Sequence, residues 1–296
     1  MLEKLEKFLK KKWDKQKIIV IYGPTASGKT ALSIQIAKKL DSEIISTDSR
    51  QIFRQMNIWT AKITQKEMDW VKHHMIDIIY PDREYSVWEF KKEAENIINN
   101  LISKWKIPIL CGWTGLYIDS LIYDFKIPKV PANWELREKL EKQAKEFWND
   151  YVYEKLKKID PQNYHKVHKN NLQYVIRAIE VKTISWISKY EQKQKKELKY
   201  DVLFLTPYDW NREKLYERIN KRVDLMFEQG LLEEVKNLLK KYKKDDFWLK
   251  TIWYAETIEY LDWKISLEEA KEKIKQNSRN YAKRQLTWFR KYKNRE

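Results

Sequence analysis

The chain has 296 residues, with 60 Lys and Arg against 43 Asp and Glu, for a formal net charge of +17. That excess suits a polyanionic partner, although a solvated lysine-rich surface gives the same balance. A single cysteine excludes an internal disulfide framework, and no apolar run approaches the length of a bilayer.

The first residues alternate Lys and Glu with Leu2, Leu5, Phe8 and Leu9. This is the pattern of a short amphipathic helix without the apolar core of a secretory leader, so the expected location is cytoplasmic. The run Ile18-Ile19-Val20-Ile21-Tyr22 then reads as a buried strand, followed by Gly23-Pro24-Thr25-Ala26-Ser27-Gly28-Lys29-Thr30 and a helical pattern over Ala31–Leu40. Strand, G-x-x-x-x-G-K-T and helix together form a phosphate-binding loop. Backbone N–H groups curl around phosphate oxygens, Lys29 reaches the terminal phosphates, and the Thr30 hydroxyl lies where Mg²⁺ would sit.

A second short strand over 43–47 ends at Asp48-Ser49-Arg50-Gln51. A carboxylate at the end of a neighbouring parallel strand faces the ligand crevice, so Asp48 suits a general base, a Mg²⁺ partner or a helix N-cap. Asn57–Lys62 is a loop with a basic end. His73 and His74 lead into a strand and lack further ligands at zinc spacing. Ser86 opens a helix running to about Lys104. Ile107–Cys111 is a continuous apolar strand, and it ends in Gly112-Trp113-Thr114-Gly115-Leu116-Tyr117. Loops bearing Lys29, Asp48 and Thr114 are therefore expected to converge.

From Pro128 strand signals vanish until Val202, and helical periodicity predicts an all-helical insertion over 128–195. The remainder, 1–127 and 196–296, forms an α/β core: a P-loop NTPase-like parallel sheet flanked by helices. Gln173 and Arg177 share a helix face, open either to nucleic acid or to solvent. His165 and His168 lack a third metal ligand. A helix from about Arg212 sets Arg218 and Arg222 one turn apart, placed to neutralise an anionic leaving group. Gly230 ends it. The tail Arg279–Arg290 interleaves basic residues (Arg279, Lys283, Arg290) with Tyr281 and Phe289, as a polyanion surface does.

GPTASGKT (23–30), DSRQ (48–51), NIWTAK (57–62), HHMID (73–77), GWTGLY (112–117), LYERINKRVDLM (215–226), GLLEEV (230–235) and YAKRQLTWFR (281–290) together resemble the tRNA dimethylallyltransferases. The resemblance implies transfer of a dimethylallyl group from its diphosphate to N6 of the adenosine 3′ of the anticodon. It implies that the phosphate loop holds the donor's diphosphate, with Mg²⁺ assisting. Lys29, Thr30 and Arg222 would stabilise the leaving group, Asp48 would act as base, and Thr114 would join the catalytic set. Positions matching the family's tRNA contacts are Asp48, Ser49, Arg50, Gln51, Thr114, Arg137, Gln173, Tyr174, Val175, Ile176, Arg177, Lys250, Thr251, Ile252, Trp253, Tyr254 and Ala255. Tyr174 departs from a usual Arg, and Lys169 and Asn171 from a Pro and an Asp. The insertion would grip the anticodon stem-loop of a tRNA bound by a monomer, without a membrane. A P-loop small-molecule or nucleoside kinase would share the fold and Lys29. A nucleic-acid-dependent ATPase would need a strand ending in a Walker-B carboxylate, and none is convincing.

The chain has only 5 glycines and 14 tryptophans, where average usage predicts about 20 glycines. The family has glycine where Trp59, Trp105, Trp113, Trp186, Trp253 and Trp263 stand, and Trp70, Trp148 and Trp248 fit the same pattern. Trp288 matches a family tryptophan. One reading is that UGA codons, glycine in one variant code and tryptophan in another, underlie the exchange. The other is a tryptophan-rich lineage with compensating changes. UGG at positions 59, 113 and 253 would exclude the first. Made as written, the chain is expected to bind substrate poorly around Trp113.

Overall fold

The computed structural model describes the chain apart from residues 13, 124, 191–196, 245, 247, 248, 250, 252, 294 and 296. Lys250, Ile252, Trp248 and most of the lysine-rich stretch 190–199 lie outside the described residues. The chain divides into two compact units, Met1–Ile122 with Leu198–Glu296, and Tyr123–Glu197.

Five short strands build the sheet of the first unit: β1 (Lys17–Tyr22), β2 (Ile44–Ser46), β3 (His73–His74), β4 (Ile109–Gly112) and β5 (Asp201–Leu205). Every pairing is parallel, in the order β3-β2-β4-β1-β5. β1 lies inside the sheet between β4 and β5; it is apolar on both faces, and Ile18 to Ile21 are wholly buried. Such two-faced burial is what a parallel sheet covered by helices imposes. The histidine pair forms the edge strand itself. His74 Nε2 lies 2.6 Å from Glu43, and His73 Nδ1 lies 2.8 Å from the Val71 carbonyl.

The helices of this unit are α1 (Leu2–Lys10), α2 (Lys29–Lys39), α3 (Gln65–Met68), α4 (Val87–Ser103) and α5 (Gly115–Ile122). After the second unit come α8 (Arg212–Glu228), α9 (Leu231–Leu239), α10 (Tyr254–Leu261) and α11 (Leu267–Lys293). The amphipathic start of the chain buries Leu5 and Phe8 beside Ile19, Ile36 and Leu203. Ser86 caps α4 in a reciprocal capping box with Glu89. Gly230, at φ 97, supplies the left-handed turn between α8 and α9. The end of α11 is anchored on β1, where Tyr22 meets Phe289 and Tyr292 at ring distances of 5.3 and 5.2 Å.

The second unit packs α6 (Trp134–Ile159) on α7 (Leu172–Ser185), with a single helical turn at Tyr164–Lys166. Leu140, Val152, Leu156, Val175, Ile176 and Ile179 form its core. Within α6 the helix breaks at Phe147 and Trp148. Buried Glu180 is the polar centre of the unit: Arg137 holds both of its carboxylate oxygens at 2.8 Å, Arg177 pairs with it, and the Asn133 amide donates to it. Burial works against that charge, but the two guanidiniums outweigh it and keep the carboxyl below its ordinary range.

Candidate functional site

The loop after β1 needs two residues that ordinary side chains do not favour. Gly23 sits at φ 149, and Gly28 caps α2 in the left-handed region at φ 90. This turns the loop amides inward, where they can meet an anion. Lys29 Nζ donates to the Pro24 carbonyl at 2.7 Å, so its ammonium lies folded over the loop. Burial pushes its pKa down to about 8, with the Arg222 guanidinium acting in the same direction. Arg222 reaches in from α8 and donates from Nη1 to the Thr25 hydroxyl at 2.8 Å. Burial lowers this guanidinium as well, to about 10. Its Nε and the Ser27 hydroxyl are buried with no hydrogen-bond partner among the described residues, which marks donors suited to an anionic ligand. Arg218, one turn away, is exposed and not drawn into the site.

Asp48 follows β2 and is 3% exposed. Its Oδ1 accepts from the amides of Arg50 at 2.8 Å and Gln51 at 3.4 Å, while Oδ2 accepts from the Trp113 indole. Burial raises its pKa; these donors and Lys29 oppose the rise. The loop after β4 is laced to it. Thr114 Oγ1 accepts from the Ser49 amide at 3.0 Å, and the Thr114 amide donates to the Thr47 carbonyl at 3.0 Å. Gly112 permits this closeness, because a Cβ there would overlap the Thr47 backbone. Lys29, Asp48 and Thr114 therefore stand on three adjacent loops at the carboxyl ends of β1, β2 and β4.

These loops open into a crevice of about 310 Å³ lined by Thr25, Arg50, Thr60, Arg222, Thr251 and Ser278 and by the rings of Trp59, Trp113, Trp253 and Tyr281. The Arg50 guanidinium lies over Trp59 at 5.9 Å and that of Arg222 over Trp253 at 5.8 Å. Gln51 donates to the Thr60 carbonyl at 3.3 Å. Tyr254 is buried and Ala255 half-buried at the start of α10.

Two supporting side chains, Glu234 and Gln285, carried no local signal, whereas a third, Tyr281, belongs to the basic–aromatic pattern of the tail. Glu234 of α9 receives the amides of Asn57 and Ile58 at 2.8 Å and the Tyr254 hydroxyl at 2.8 Å. Gln285 accepts from the Thr25 amide at 3.0 Å, and Tyr281 stands edge-on to Trp113 at 5.0 Å. Glu234 and Gln285 fall inside the GLLEEV and YAKRQLTWFR motifs, but the backbone amides they accept from are 175 or more residues away. Of the tail's other residues, Arg279 donates to Asn220 and Gln276, and Phe289 is core.

The residues matched to RNA on the helical unit divide by side chain. Gln173 and Tyr174 are exposed, Val175 and Ile176 turn into the core, and Arg137 and Arg177 are engaged with Glu180. Among the described residues no cluster of three His, Cys, Asp or Glu is placed to hold a metal, and no helix is long and apolar enough to cross a membrane.

Residues 51–292 match the IPP transferase family model, and residues 16–84 match that of isopentenyl transferases. The chain is 52% identical over 283 residues to the tRNA dimethylallyltransferase of Alkaliphilus oremlandii, covering 95% of this chain and 90% of the relative. It is 48% identical over 280 residues to that of Acetivibrio thermocellus, covering 94% and 90%. The tRNA isopentenylpyrophosphate transferase of Bacillus halodurans is similar in structure, with a TM-score of 0.67 at 41% identity, covering 93% of this chain and 87% of that one. A eukaryotic dimethylallyltransferase acting on tRNA gives a TM-score of 0.79 at 33% identity, covering 93% and 70%.

Proposed function

The chain belongs to the tRNA dimethylallyltransferase family, and from that premise we propose that its crevice transfers a dimethylallyl group from dimethylallyl diphosphate to N6 of the adenosine 3′ of the anticodon. The observation that carries this assignment is a buried carboxylate, Asp48, sharing one crevice with a phosphate loop that Arg222 clasps. The kinase alternative is not favoured, because relatives matching along almost the whole chain are tRNA prenyltransferases.

The diphosphate lies in the loop amides of Gly23 to Thr30. Lys29 and Arg222, both poorly hydrated, face the charge that builds as the carbon–oxygen bond to the prenyl group breaks, and such pre-placed cations act most strongly in a desolvated site. Thr30 is exposed at the first turn of α2. Among the described residues no cluster of three His, Cys, Asp or Glu stands beside it, so its hydroxyl would be this chain's ligand to a Mg²⁺ that arrives with the diphosphate. When bound, the ion reduces the charge on the departing diphosphate.

Asp48 takes a proton from the adenine amino group as the nitrogen attacks the prenyl carbon. Burial makes its carboxylate a stronger base, and the Arg50 and Gln51 amides fix its direction. An exocyclic amine is a weak nucleophile, so holding it against the prenyl carbon contributes as much as proton removal. The base must leave the anticodon stack to enter. Thr114 holds the Ser49 loop, while Arg50, Thr251 and the start of α10 line the RNA side. The helical unit offers Gln173 and Tyr174, and the net charge of +17 supplies backbone affinity. The enzyme works as a cytoplasmic monomer. Incubation with labelled dimethylallyl diphosphate or labelled ATP and unmodified tRNA tests the assignment: prenyl label in RNA is expected, and phosphate label in its place would refute it.

A further inference from the structure

Among the described residues, seven of the fourteen non-glycine positions at positive φ are tryptophan, although tryptophan supplies only 14 of 296 residues. Large L-residues avoid that region, which glycine occupies freely. Two of the seven complete the same helix-ending motif. After α4, the Trp105 amide donates to Ile102 and the Lys106 amide to Leu101; after α10, the Trp263 amide donates to Tyr260 and the Lys264 amide to Glu259. That pair of bonds is the Schellman ending, whose left-handed residue is usually glycine. Trp186 ends α7 at φ 60, ψ 0. Trp148 breaks α6 at φ 68, ψ 165, a conformation essentially reserved for glycine. Trp253 precedes α10 at φ 86, ψ −45.

Packing does not compensate at four of them. Trp70, Trp105, Trp186 and Trp263 are 100, 96, 83 and 91% exposed. By contrast Trp88, Trp134 and Trp288 lie in helices outside the positive-φ set, and Trp288 fills the space over Gly115. The tryptophans thus fall into two populations, one of which occupies glycine's places. A single codon read two ways produces that split.

Trp113 is not left-handed, but its position is the most consequential. Its ring is a planar bicycle of purine size. Its N–H donates to Asp48 Oδ2, and it stands against Tyr281 at an interplanar angle of 87°. A purine presenting an amino group to Asp48 would take the same volume and the same bond.

We propose that the left-handed tryptophans and Trp113 are glycine in the protein its cell makes, through UGA codons read as glycine, and that the Trp113 indole of the present chain blocks the seat of the acceptor base beside Asp48. The second half rests on the prenyl-transfer reading of the site. The first half stands without it.

Two experiments separate them. Combining W70G, W105G, W186G and W263G in the full chain should raise its thermal midpoint by roughly 5–10 °C, since each removes an exposed left-handed indole. An unchanged or lower midpoint overturns the exchange, as does tryptophan at these positions in peptides sequenced by mass spectrometry from the source cells. For the seat, the parent chain and W113G are given labelled dimethylallyl diphosphate and an unmodified anticodon stem-loop in single turnover. Transfer should rise on the order of 100-fold in W113G, while W113F, which keeps a ring in the seat, stays near the parent. Equal transfer by parent and W113G overturns the seat and leaves the prenyl-transfer reading intact. No transfer by any of the chains overturns that reading, while the thermal midpoint still decides the exchange.

Discussion

Arg222 donates to the Thr25 hydroxyl across a separation of 197 residues, so the helix after β5 closes the phosphate loop. Arg222→Ala should lower single-turnover prenyl transfer by about 10²- to 10³-fold, the usual loss when one preorganised donor to a leaving group is removed. Arg222→Lys should recover only part of it, since a point charge cannot hold Thr25 and the diphosphate together. Rates are compared in the parent and in W113G. A loss confined to donor KM, with the transfer step unaffected, would assign Arg222 to binding alone.

Asp48→Asn keeps the shape and the two amide bonds but loses the base. Transfer should fall by about 10²- to 10⁴-fold, with tRNA affinity within about threefold of the parent. Filter binding and single-turnover assays on the same preparation read both quantities. Parent-like transfer would remove Asp48 from the mechanism.

Donor affinity should depend on pH through Lys29. Its empty-site pKa is pushed down to about 8 by burial, and a bound diphosphate raises it again by supplying opposite charge. The proton is therefore already present below pH 8 and must be taken up on binding above it. Calorimetric Kd for pyrophosphate should hold steady up to about pH 8 and then weaken, approaching tenfold per pH unit. Lys29→Arg should flatten the profile, and a flat profile in the parent would contradict the buried ammonium.

Glu180→Ala leaves Arg137 and Arg177 facing each other without their carboxylate, and should destabilise the chain by about 2–4 kcal/mol. Because the folded pKa of Glu180 lies below its ordinary 4.5, its contribution is complete above that value and is lost as pH falls through the folded pKa. Urea midpoints at neutral and acid pH should converge for parent and variant. An equal gap at both would assign the loss to packing.

Local spacing made the phosphate loop, Asp48 and the strand-ending Thr114 legible, because each belongs to a strand–loop–helix unit with its own periodicity. The closure of the site was not legible. From spacing alone Arg222 was one of two arginines on a helix, and only the family resemblance singled it out from Arg218, which the fold leaves exposed. Glu234 and Gln285 serve backbone amides whose need arises only once the loops are folded. Arg177 looked like a surface cation, although Glu180 three residues on offered the alternative that the helix adopts. The two-residue β3 is set by pairing with β2, which no local pattern states. Tryptophan excess was visible as composition, but Trp210 joins the anomalous set only through its φ of 60.

The sheet order carries a consequence for synthesis. β1 and its loop emerge from the ribosome early, yet β5, Arg222, Gln285 and the Tyr22 partners Phe289 and Tyr292 come from the final third of the chain. A nascent chain therefore presents an interior strand with one flank unpaired and a phosphate loop without its clasp until translation is almost finished. Competence arrives late and all at once, and a prematurely terminated product, even one containing every early motif, has no working site.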